Sequence, residues 1–238
     1  MRGALGFLTP LGGSRTPTAS ALPWFPVVGA LIGLVVGAVW WGAATVWPLP
    51  VAAALTVAAD LTLTGMLHLD GLADSADALL PPVSRERRLE ILRDPRAGAF
   101  AVAVVAVVLL LRFSVFATIE PTNRTPLVLA GIWAMSRSAM AVTACVVPYA
   151  RAQGLATAFL GASPTLIVAI TAPLAAALGW FGTDPHLRGV LAVAGCALGA
   201  AATVAFARAR LGGFTGDVLG ACGVIGETAA LLILAVRL

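Results

Sequence analysis

Apolar runs long enough to cross a bilayer recur along this 238-residue chain, and that recurrence limits its possible folds more than any other feature. Inside hydrocarbon every backbone N–H and C=O must find a partner within the protein, so only helices and closed barrels span. The runs here approach the roughly 20 residues of a spanning helix, about twice the length of a barrel strand. Seven spans are expected, at 24–47, 51–69, 99–119, 127–147, 155–180, 189–206 and 218–236. Hydrophobic residues make up 60% of the chain and charged ones 11%, against about a quarter charged in a soluble domain. The expected fold is an all-α polytopic membrane protein with about seven transmembrane helices in one bundle. It forms a single integral membrane domain over 1–238, with a cytoplasmic N-terminal segment at 1–23 and a charged cytoplasmic catalytic loop with a short helix at 70–98.

Within the first span, Gly29, Gly33 and Gly37 repeat every four residues on one face, a pattern that lets another helix approach closely. Trp24 at one end and Trp40, Trp41 and Trp47 towards the other read as interfacial belts. Pro164 and Pro173 break the fifth run, which reads as one kinked span. The polar stretch 1–20 precedes the first apolar run, so no signal-peptide cleavage is expected. Cys145, Cys196 and Cys222 lie singly in apolar runs without metal or redox spacing, which points to packing.

All fifteen basic residues are arginine. They lie between spans rather than in a stripe, so topology and local phosphate binding explain them better than nucleic acid does. With a cytoplasmic N-terminus, Arg2, Arg15, Arg85, Arg87, Arg88, Arg93, Arg96, Arg151, Arg208 and Arg210 lie inside, and Arg124, Arg188 and Arg237 outside. That is ten against three, in the sense of the positive-inside rule. The expected location is a membrane, with the candidate chemistry facing the cytoplasm.

The stretch 65–98 holds six of the eleven acidic residues. Asp70, Asp74 and Asp77 are spaced i, i+4 and i+7, so a helix places them on one face. Three neighbouring carboxylates repel and suit a hard divalent cation such as Mg²⁺. A solvated acidic face paired to nearby arginines is the other reading. Ser84 and Glu86 open a short amphipathic helix that Asp94-Pro95 ends. Arg85, Arg88 and Arg93 are candidates to clamp phosphate oxygens, or to meet anionic headgroups.

A second cluster, GGFTGDVLGA, combines Gly212, Gly213 and Gly216 with the oxygens of Thr215 and Asp217. Its glycines allow close backbone approach to a ligand, while Asp217 also stands where a helix begins and fits a cap. Glu227 and Arg137 are intramembrane charges, which are costly and usually functional. Arg112 reads as a snorkelling side chain near a span end. Asp60 has no evident role, and His68 points away from the acidic face.

The blocks HLDGLADSADAL, SRERRLEILRDPRAG and LGGFTGDVLGA, in this order, resemble the cobalamin synthase (adenosylcobinamide-GDP ribazoletransferase) family. The resemblance extends to FLT, FPVVG, SRSAM and YARAQGL, and so covers nearly the whole chain. It implies a Mg²⁺-dependent membrane enzyme that transfers the phosphate-bearing cobinamide of adenosylcobinamide-GDP to α-ribazole or its 5′-phosphate, with release of GMP. By position it implies metal binding at Asp70, Asp74 and Asp77, and phosphate contacts at Arg88, Arg93, Arg137 and Arg151. Asp94, Asp217 and Glu227 are then further ligands or the base for the ribazole hydroxyl. Where the family usually continues FLT-R-x-P this chain has FLTPLGG, and Ala152-Gln153 stands where a glutamate pair often follows Tyr-Ala-Arg. A homo-oligomer, or association with other late cobalamin enzymes, stays open. The alternatives are a CDP-alcohol-type membrane phosphotransferase, although Asp74 and Val83 depart from that pattern, and a transporter using Asp60, Arg137 and Glu227.

Overall fold

Backbone polar groups of an apolar chain are satisfied within helices, and helices dominate the computed structural model, which describes residues 1–12, 18–151, 158–159 and 162–236. Ten α-helices occur among the described residues. They are α1 (Arg2–Leu8), α2 (Phe25–Val46), α3 (Leu49–Leu63), α4 (Leu67–Leu79), α5 (Arg85–Ile91), α6 (Ala99–Phe116), α7 (Thr125–Val146), α8 (Thr165–Phe181), α9 (His186–Leu211) and α10 (Gly216–Leu234). By length and hydropathy, α6, α7, α9, α10 and a helical stretch ending in α2 can each cross a bilayer. Large apolar side chains such as Leu31, Leu34, Val102, Leu110 and Leu198 are exposed along them, as lipid-facing positions require.

Two of the seven expected spans differ. The second is split: α3 and α4 meet at 89°, because Gly65 and Met66 both take the left-handed conformation at φ +58. Gly65 tolerates that conformation and marks the break in retrospect. The fifth is short, since α8 starts at Thr165 after Pro164 and spans 17 residues. Pro173 sits inside α8 without ending it. The expected start at 155 lies outside the described residues, as do Arg15, Ala152, Gln153 and Arg237.

The glycine face of α2 packs on α7. A Cβ at Gly29, Gly33 or Gly37 would run into the backbone of Trp133, Leu129 or Pro126, so the contact is backbone against backbone. Trp40 leaves the expected belt. It is fully buried against Phe116, while Trp24, Trp41 and Trp47 stay exposed. The N-terminal stretch is also folded: Ala4 and Leu8 of α1 and Leu22 are buried, with Phe7 stacked on Phe25 at 5.6 Å between ring centres. Cys196 and Cys222 are buried, in keeping with a packing role.

This packing predicts a sharp contrast between glycines. Gly33→Val should destabilise by about 1–3 kcal/mol or prevent folding, whereas Gly42→Val, with nothing within 4 Å of its Cβ position, should stay within about 0.5 kcal/mol of wild type. Thermal unfolding in detergent measures both.

Candidate active site

The Asp70–Asp77 face of α4 lies by the first residues of α6 and of α10. Gly71 lies against the backbone of Asp217 at the start of α10, where a Cβ would come within 2.8 Å of the carbonyl oxygen. At the other end of this face Asp77 accepts the amides of Gly98 and Ala101 at 2.5 and 2.9 Å. Those are orphan donors at the start of α6, so Asp77 caps that helix.

The glycine cluster is pinned by the segment after α7. Phe214 donates its amide to the Pro148 carbonyl at 2.9 Å, and Ala150 donates to Phe214 at 2.8 Å. Gly212 ends α9 with φ +78, and a Cβ at Gly213 would strike the Pro148 carbonyl. This clasp brings Arg151 to Asp217, where the guanidinium donates to the carboxylate at 3.0 Å and to the Leu92 carbonyl at 3.0 Å. The Thr215 hydroxyl accepts the Val218 amide at 3.4 Å as the cap of α10 and donates to Asp217 at 3.2 Å. Among the described residues nothing lies within 4 Å of a Cβ position at Gly216.

Asp74 sits half-buried among these groups. Burial, then the neighbouring charges of Asp217, Asp70 and Asp77, push its carboxyl up to about 6 against the opposing effect of Arg151. Such crowding is relieved by a cation or a proton. Asp70, Asp74 and Asp217 offer carboxylate oxygens at an open face, the donor type that a hard divalent ion takes. Among the described residues no group of three or more Asp, Glu, His or Cys side chains is placed to hold a metal ion together. Mg²⁺ commonly takes only one or two carboxylates together with waters and substrate phosphates, a demand that two of these aspartates can meet.

Other predicted residues stand elsewhere. Arg88 is buried and donates to the Ala78 and Leu79 carbonyls at 2.6 and 2.9 Å. It closes the C-terminus of α4 instead of presenting a fork to solvent. Arg93 is exposed on the turn after α5. Asp94 is held by the Arg96 side chain and amide, which keep its carboxyl down at about 2. Arg85, expected as a phosphate clamp, and Arg210, not singled out, instead join the assembly through main-chain carbonyls. Arg85 donates to the Leu211 carbonyl at 2.7 Å, and Arg210 to the Leu79 carbonyl at 3.0 Å.

Glu227 and Arg137 lie within the bundle, about 15 Å along α10 from Asp217 by helical rise. There Arg137 pairs with Glu227. Arg112 donates to Glu227 and to Asp60 at 2.7 Å each. Trp133 donates to Asp60 at 3.1 Å, and Ser136 to Glu227 at 2.8 Å. Arg112, 5% exposed, therefore does not snorkel. It joins α3, α6 and α10, and Asp60 gains the partner that its sequence context did not reveal.

A family model described as cobalamin-5-phosphate synthase matches residues 1–235. A protein of Alkalilimnicola ehrlichii named adenosylcobinamide-GDP ribazoletransferase is 40% identical over 96% of this chain and 92% of its own. Proteins of the same name from Leptothrix cholodnii and Pseudomonas paraeruginosa are 38% and 37% identical. They cover 87% and 98% of this chain, and 81% and 96% of their own. No solved structure matches the chain.

The buried charges give a stability prediction. Arg112→Met leaves Asp60 and Glu227 without their shared partner and should cost about 3–5 kcal/mol. Adding Asp60→Asn should recover part of that loss, as a double-mutant cycle by thermal unfolding in detergent would measure.

Proposed function

The chain belongs to the cobalamin-5-phosphate synthase family, and on that premise we propose that it is an adenosylcobinamide-GDP ribazoletransferase of a bacterial inner membrane. It joins adenosylcobinamide-GDP to α-ribazole, or to the 5′-phosphate of α-ribazole. A ribazole hydroxyl oxygen attacks the cobinamide-side phosphorus, the bond from that phosphorus to the bridging oxygen breaks, and GMP leaves. The hydroxyl proton passes to a base. The observation that carries this reading is the meeting of Asp70, Asp74 and Asp217 with Arg151 at one open face, in a chain matched by the family over nearly its full length.

A diphosphate brings negative charge to a site already acidic, so neutralisation decides whether it binds. Bound at Asp70 and Asp74, with waters and phosphate oxygens completing its shell, Mg²⁺ would offset charge on the diphosphate and on the departing GMP. Asp77, within reach to raise the Asp74 carboxyl, adds to the negative field while capping α6. Arg151 keeps its Nε without a partner among the described residues while its Nη2 holds Asp217. That Nε is buried, so Arg151 orients the carboxylate and has its guanidinium Nη atoms to offer a phosphate oxygen. Gly216 is exposed and lets a phosphate approach the backbone, and the amides opening α10 favour an anion there. Asp217, oriented by Thr215 and Arg151, is the base best placed for the ribazole hydroxyl. Arg93 is exposed and free to swing toward a phosphate. The excess of arginine on this side supports a cytoplasmic active site, where the soluble nucleotide substrates reside.

Purified protein in liposomes, given adenosylcobinamide-GDP, α-ribazole and Mg²⁺, should release GMP and form the cobalamin product. Asp74→Asn should lower kcat by about 100-fold or more, and product formation independent of Mg²⁺ would remove the metal from the reading. With the Asp74 carboxyl near 6, a proton competes with the cation below that pH. Mg²⁺ affinity should therefore rise with pH up to about 6 and level off above it, a trend absent in Asp74→Asn. Half-saturation by Mg²⁺ measured from about pH 5 to 8 checks the sign.

A further inference from the structure

A small cavity lies where α3, α4, α6, α7 and α10 come together. Its polar lining comprises Asp60, Thr64, His68, Arg112, Arg137 and Glu227, and its free space is about 10 Å³. His68 is 3% exposed. Among the described residues neither of its ring nitrogens has a hydrogen-bond partner, and neither does the buried Nε of Arg137. His68 and Arg137, which carry these three buried nitrogens, thus line one void, in a region where the other charged atoms are well paired.

We propose that this cavity is a binding site for a single water molecule, which bridges His68 to the buried charges and makes His68 a positioning residue for the acidic face of α4. The charges select the ligand. Two arginines offset two carboxylates, so the lining gives no net attraction for an ion of either sign. The orphan atoms comprise donors and an acceptor, since a neutral imidazole carries one of each and the Arg137 Nε–H donates. Water matches both, and the free space suits one molecule with several polar partners. The location gives the water its purpose. His68 occupies the first turn of α4, just after the Gly65–Met66 break, and its backbone packs on Gly220 of α10. Fixing His68 fixes the start of the helix that carries Asp70 and Asp74, and so their placement against Asp217.

The first test does not depend on catalysis. The chain has two histidines, so His186→Gln leaves His68 as the sole ¹⁵N-histidine signal in proteoliposomes. Water-edited NMR should show a neutral imidazole receiving magnetisation from a bound water. A neutral His68 without that transfer, in folded protein, overturns the proposal. The positioning role rests on the transferase reading and is tested by Mg²⁺ titration. His68→Leu should raise the Mg²⁺ concentration for half-maximal turnover about 10-fold, with kcat at saturating Mg²⁺ largely kept, and His68→Gln should restore much of the difference. Half-saturation unchanged in His68→Leu refutes the positioning role. If His68→Leu does not fold, the nitrogen signal decides the proposal. If the unmodified chain shows no turnover, that outcome bears on the reaction alone, and the nitrogen signal again decides.

Discussion

Charge in an apolar medium must be matched locally, and the group formed by Asp60, Arg112, Glu227 and Arg137 meets that requirement across four helices at once. Each carboxylate takes more than one donor, including the Trp133 indole and the Ser136 hydroxyl. Apolar contacts between spans are weakly directional, since lipid offers similar surroundings to the same side chains. A set of directional ion pairs supplies what those contacts lack. It selects one rotation of α3, α6, α7 and α10 about their axes, and that rotation aims the N-terminus of α10 at α4.

Above this level the assembly is held by guanidinium groups acting on carbonyl oxygens. Arg85, Arg88, Arg151 and Arg210 each reach a main-chain carbonyl at a helix end or loop. These contacts cap orphan acceptors and fasten α5 and the segment after α7 around the acidic face. The wealth of arginine in and around this region therefore has two uses. Buried members build the frame, and exposed ones remain available to solvent and ligands. Arg151 does both, because its fork has more donors than its frame contacts consume.

Much of this was legible in the sequence. The all-helical type and most of the spans followed from apolar run length, although five helices, or six with the bent α3–α4 pair, are long and apolar enough to cross where seven were expected; the α2 glycine face followed from its four-residue spacing. The acidic face followed from i, i+4, i+7 periodicity. What stayed hidden depends on contacts between residues far apart in the chain. Asp60 and Arg112 are 52 positions apart and their pairing has no local signature, so each looked like an isolated oddity. Arg88 looked like a phosphate ligand because sequence shows its charge but not the carbonyls it closes. Glu227 and Arg137 looked like site residues for a related reason: intramembrane charge marks importance without saying whether the importance is architectural. The approach of Arg151 to Asp217 required a clasp between two loops that no periodicity announces.

The left-handed pair Gly65–Met66 has a consequence for how this chain can vary in length. Directly after it, each helical residue turns the acidic face by about 100°. Inserting or deleting one residue between Thr64 and His68 would swing Asp70 and Asp74 away from Asp217 and carry His68 out of its cavity, although no functional side chain had been altered. The number of residues in that joint is thus under the same constraint as the aspartates themselves, whereas the turn at 120–124 at the opposite end of the bundle tolerates a change of length without moving any part of the site.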